Sequence, residues 1–161
     1  MSEADTWCTD EWDPKRITST IVLSNDNKTA ENKNGGWALV KGKLIMTQGI
    51  YRIRIKIDRH NSNNLMIGVC QKDFTGISYQ SAQGWMYDSG SGGTKWHSGT
   101  STNYSQRCNQ NDIVTVVVDM DKKEVSFERN GKDLGVAYTG IASEVVLAVD
   151  FATTTDIITI L

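Results

Sequence analysis

Residues 51–58, YRIRIKID, place Tyr51, Ile53, Ile55 and Ile57 in strict alternation with Arg52, Arg54, Lys56 and Asp58. A period of two is that of an extended strand with one core face and one wet face; an α-helix would scatter the same apolar set around its axis. The basic stripe formed by Arg52, Arg54 and Lys56 reads as the solvated side of this strand, with Glu124 and Glu128 available as carboxylates on a neighbour.

The rest of the chain repeats the theme. IVTVVVDM at 113–120 is apolar on both alternating faces and rich in β-branched residues, which predicts a central strand covered on both sides. DKK then turns the chain into EVSFER at 124–129, and Asn130-Gly131 is a strong two-residue hairpin signal. STIVLS and WALVKGKLIMT upstream, and VVLAVDF and DIITIL downstream, are further strands, separated by turn chemistry such as SNDN and NKNGG. No window carries apolar residues at helical spacing, so helices are limited to single turns, expected near 72–76 or 140–144. Many short strands in one chain of 161 residues predict an all-β fold, two antiparallel sheets packed as a sandwich. Residues 1–12 are expected to be a loose N-terminal segment before a single domain at 13–161.

Composition narrows the function. With 39% hydrophobic and 22% charged residues and a net charge of −2, the chain lacks the basic footprint of a nucleic-acid binder. Its apolar runs fall far short of the roughly 20 residues that cross a bilayer, and its acidic start has no apolar secretion signal. A cytoplasmic or nuclear protein, monomeric as a domain, is expected. Cys8, Cys70 and Cys108 are scattered without a CxxC pair, and His60 and His97 are the only histidines, so neither a metal nor another cofactor is expected.

The order of short motifs is more specific than the fold class. GGW at 35–37, QGIYRIRI at 48–55, IGV at 67–69, GWMYDSG at 84–90, NDIVTVVVDMDKKEVSFERNG at 111–131 and LGVAY at 134–138 follow one another as in the SPRY domain family, which the chain resembles. Asp13-Pro14 and IVLSNDNKTA at 21–30 are similar to the shorter segment that precedes many SPRY domains. The resemblance implies a bent β-sandwich of the concanavalin-like jelly-roll type. It also implies a protein-interaction module, often the recruiting part of a ubiquitin ligase or a scaffold. In the subgroup that pairs SPRY with a SOCS box, an Asn-rich peptide is gripped by an arginine-proline loop, a tyrosine and a tryptophan. The matching positions here are Glu31 to Lys33, Tyr79, and Asp150 or Phe151, so only the tyrosine is kept and that ligand is not expected.

Catalysis finds no constellation. Asp119 and Asp121 flank a turn and Asp112 opens a strand, places where aspartate bonds the local backbone rather than serving as half of a glycosidase pair. No serine or cysteine sits in a nucleophile elbow, and GSGG at 90–93 lacks the Lys-Ser/Thr ending of a phosphate loop. A lectin-like reading remains as the alternative, because a sandwich with aromatic loops can stack a sugar on tryptophan. The principal expectation is a protein or peptide partner bound by loops at one edge. Trp85 and Tyr87 alternate as core residues, whereas Trp96 and His97, after a glycine-rich hinge at 90–93, are read as loop residues. The expected surface draws on loops 31–35, 58–64, 73–81, 90–104 and 152–155, with Glu31, Asn32, Lys33, Arg59, His60, Tyr79, Trp96, His97, Tyr104 and Asp150 as the partner-binding residues.

Overall fold

The computed structural model describes residues 7–33, 35–61, 63–90, 92–152 and 156–161. Two seven-stranded antiparallel sheets face each other. One runs β12 (Lys132–Thr139), β11 (Glu124–Arg129), β10 (Ile113–Asp119), β5 (Ile50–Arg59), β14 (Ile157–Ile160), β3 (Thr29–Asn32), β2 (Ile21–Ser24). The other runs β1 (Trp12–Ile17), β4 (Ala38–Gly42), β13 (Val145–Phe151), β6 (Leu65–Gln71), β7 (Gly84–Asp88), β8 (Thr94–His97), β9 (Thr100–Asn103).

The alternation in β5 does what its pattern predicts. Ile53, Ile55 and Ile57 are fully buried between the sheets, opposite Val116, Val114 and their neighbours on β10. Val69, Trp85, Tyr87, Leu147 and Val149 fill the same core from the facing sheet. The β11–β12 hairpin closes through Asn130 at φ 50° and Gly131 at φ 83°, the paired left-handed conformation that an Asn-Gly turn supplies. At the preceding turn, Asp119 accepts the amides of Asp121 (3.1 Å) and Lys122 (3.0 Å).

Four expectations are corrected. The segment 7–12 is docked rather than loose: Trp12 is fully buried with its indole N–H donating to Lys28 O (3.0 Å), and the Cys8 amide donates to Arg52 O (2.9 Å). Only 1–6 of that segment lie outside the described residues. The outer face of β10 is not roofed by another layer; Val117 is half-buried, and beside it lies the Arg52–Glu128 ion pair (2.6 Å) reaching across from β5 and β11. Among the described residues the only helical turn is Ser78–Gln80, not 72–76 or 140–144. Finally, Trp96 and His97 stand in strand β8, paired with β7 and β9. The glycines before them are not a hinge: a Cβ on Gly90 would sit 2.4 Å from Asn63 O, and one on Gly93 2.4 Å from the Gln106 backbone, so both are sites of close chain approach.

Candidate functional site

β13 carries apolar or small residues on both faces, and its outward set, Val146 and Ala148, joins Leu39, Met66, Cys70 and Met86 from adjacent strands in a second buried cluster. An open sheet face so apolar needs a cover. Residues 72–83, the connection from β6 to β7, lie across it as a strap.

Two buried charged groups hold the strap. The Asp150 carboxylate, wholly buried near the end of β13, accepts the amides of Ser78 (3.1 Å) and Tyr79 (2.9 Å). The Lys41 ammonium donates to Lys72 O (2.6 Å) and Phe74 O (2.7 Å). Burial pushes the Asp150 carboxyl up to about 6, against the two amides that favour its charged form, and burial lowers the Lys41 ammonium. The β8–β9 turn adds a latch, with the amides of Ser98 and Gly99 donating to Ser81 O (3.1 Å) and Tyr79 O (3.0 Å).

This scaffold presents three half-buried aromatic rings in a row. Tyr79 lies between Trp37, at 4.6 Å between centroids and 42° tilt, and Trp96, at 5.1 Å and edge-on at 83°. Strand register decides which β8 residue belongs to the row. Trp96 pairs with Met86, so both point outward, while Lys95 and His97 point the other way. His97 stacks on Trp85 at 5.4 Å and its Nδ1–H donates to Gly84 O (2.8 Å).

Of the residues expected from sequence, the structure therefore brings together Tyr79 and Trp96, with Asp150 beneath them as an anchor rather than an exposed contact. Several others are not surface groups. Asn32 is fully buried and its amide donates to Gly36 O (3.1 Å), bracing the chain just before Trp37. The His60 side chain is 1% exposed beside Asp156 (3.6 Å). Tyr104 donates to Gly135 O (2.5 Å) and packs on Tyr87 and Phe127. Glu31 and Arg59 flank Ile157 in the other sheet, with Glu31 paired to Lys33 (3.1 Å). Residues 153–155 of the expected loop 152–155 lie outside the described residues. Trp37 is not among the expected contacts; its signal is its place at the exit of a glycine turn, directly before the apolar run Ala38-Leu39-Val40.

The carboxylates considered for catalysis are engaged structurally. Asp112 accepts from Asn109 N (2.7 Å), Arg129 Nε (2.9 Å) and Asn130 Nδ2 (3.0 Å), and Asp121 accepts from Gly49 N (3.0 Å). Cys8, Cys70 and Cys108 are thiols, not half-cystines, and burial pushes the Cys70 thiol up to about 12, far from a nucleophile's range. Among the described residues no helix is long and apolar enough to cross a membrane.

Residues 50–160 match the SPRY domain family, and the chain belongs to it. SPRY domains are generally protein–protein interaction modules. The chain is 25% identical over 146 residues to SPRY domain-containing SOCS box protein 3 of Xenopus tropicalis, covering 83% of this chain and 40% of that relative's length. Its fold is similar to the SPRY domain of human HERC1, with a TM-score of 0.82 and 22% identity over 92% of this chain and 96% of the other. It is also similar to the TRIM65 PSpry domain, with a TM-score of 0.78 and 13% identity over 98% and 94% of the two chains.

Proposed function

We propose that the chain is a non-catalytic recruiting module that binds a segment of a partner protein on the Trp37–Tyr79–Trp96 row. The observation that carries this reading is the row itself: three large rings, each half-buried, with the central Tyr79 on a strap fixed from below by Asp150 and Lys41, Trp37 just before β4 and Trp96 on β8. Rigid aromatic groups give large contact area at low entropic cost and are frequent anchors of interfaces. The SOCS-box name of the Xenopus relative supports a more specific role, substrate recruitment within a ubiquitin ligase in the cytoplasm or nucleus. Nucleic acid, membrane and obligatory self-association have no part in this reading.

Selection of a displayed peptide library on the intact chain tests it. Selected peptides should bind Tyr79→Ala and Trp96→Ala at least about tenfold more weakly, the loss of a central anchor of 1.4 kcal/mol or more. Unchanged binding to both variants would remove the row from the interface. A glycan array provides the opposing arm, because a hit competed by free sugar would favour the lectin reading.

A further inference from the structure

Between the strap and β1 lies a cavity of about 370 Å³, within the size range of pockets that hold small ligands. Its apolar surface comes from Ile17, Leu39, Phe74 and Ile77. Three cations line it, Lys15, Arg16 and Lys41, against a single carboxylate, Asp73. Arg16 is engaged elsewhere, with Asp13 at 3.6 Å and Lys72 O at 2.8 Å. Lys41 is 3% exposed, and its ammonium contacts two carbonyl oxygens, leaving one of its three donors over. Among the described residues neither Lys15 nor Lys41 forms an ion pair. A cation taken out of water without a counter-charge is costly, and a ligand carboxylate would supply the missing partner.

We propose that this cavity is a second docking pocket, which takes an aliphatic side chain and an adjoining carboxylate from an extended acidic segment of a partner protein. The four apolar walls favour a carboxylate on a hydrocarbon body over a phosphate, which would leave them wet. The chain's net charge of −2 also disfavours a polyanionic nucleic acid. None of Trp37, Tyr79 and Trp96 lines this pocket, although its Leu39 and Phe74 belong to the cluster on which they pack, and the proposal does not depend on the aromatic row being an interface.

The test is a titration of the ¹⁵N-labelled 161-residue chain with a capped peptide of alternating leucine and glutamate, followed by its leucine–glutamine counterpart. Saturable shifts are expected at the amides of Thr18, Thr75 and Gly76, with the glutamine peptide about tenfold weaker. Lys15→Glu, at an exposed position, should weaken the glutamate peptide by about threefold to tenfold. Equal affinity for the two peptides, or no saturable shift, would overturn the proposal. Shifts confined to Trp37, Tyr79 and Trp96 would also overturn it, and would assign the peptide to the aromatic row instead. Failure of the row as an interface would appear separately, as unchanged binding of library-selected peptides to Tyr79→Ala.

Discussion

β10 and β13 are nearly interchangeable as strings, IVTVVVD and VVLAVDF, yet they meet different surroundings. Every residue of β13 is buried, because the 72–83 strap covers its outer face; the outer face of β10 leaves Ile113, Val117 and Asp119 half-buried. On the β10 side, Arg52 and Glu128 flank the apolar stripe with their long side chains as a partial cover, and Trp7 from the N-terminal segment lies over Arg52 and Arg54, whose guanidinium carbons are 4.6 and 4.9 Å from its ring centroid. The difference teaches where a binding surface could grow on this sandwich. A strap laid over an apolar face brings its own exposed side chains, and here it places Tyr79 between two tryptophans. The face fringed by ion pairs presents chiefly the charges of its own strands.

Cavity formation should separate the two faces most clearly. Met66→Ala removes a fully buried side chain under the strap and should cost about 2–5 kcal/mol. Val117→Ala, on the fringed face, should cost less than about 1 kcal/mol. Urea melts of both variants check this, and similar losses would mean that the β10 face is as closely packed as the β13 face.

The ion pair sharpens the contrast at a smaller scale. Both partners are about one-tenth exposed, so Glu128→Gln should cost about 1–3 kcal/mol by leaving Arg52 without its charge partner. The double change Arg52→Met with Glu128→Leu should recover most of that loss, since a packed hydrocarbon pair can do the same covering. A double-mutant cycle read by thermal melts would show it. No recovery would mean that the charges specify the face rather than merely shield it.

A further contrast, read through pH, concerns the anchor of the strap. Asp150 titrates at about 6 in the folded chain, above the 3.8 of a free carboxyl. Between those values the folded state holds the proton more tightly, so this group makes the protein less stable as pH rises from about 4 to 6, with no further change above. Asp150→Asn keeps an oxygen to accept an amide but cannot titrate. The difference in stability between wild type and variant should therefore change across pH 4–6 and stay level from pH 7 to 8, in parallel denaturant melts. A flat difference throughout would show that Asp150 is not the titrating group.

Much of the sandwich was legible in sequence because its signals are local. Alternation at 51–58, the Asn130-Gly131 turn and the aspartate at 119 each act within a few residues, and each is found as read. The site was less legible because its parts are local to nothing. Tyr79 is legible through a family resemblance and Trp96 by its aromatic character, but the sequence places Trp96 in a loop, since a four-residue strand after three glycines has too little periodicity to declare itself. Asn32, His60 and Asp150 read as exposed polar residues, yet Asn32 donates to the backbone, the Asp150 carboxylate accepts backbone amides, and His60 is buried beside Asp156.

The sequence by itself determined which residues share a strand face, where the chain reverses, and that the core is shared by two sheets, because pleat parity and left-handed turns are properties of adjacent residues. Only the tertiary structure decided that VVLAVDF receives the strap while IVTVVVD is left with Arg52 and Glu128, and that Trp96 rather than His97 faces outward beside Tyr79. Those outcomes depend on pairing register and on contacts between segments far apart in the chain. A period of two is unchanged when a strand slips by one residue, but that slip exchanges the faces.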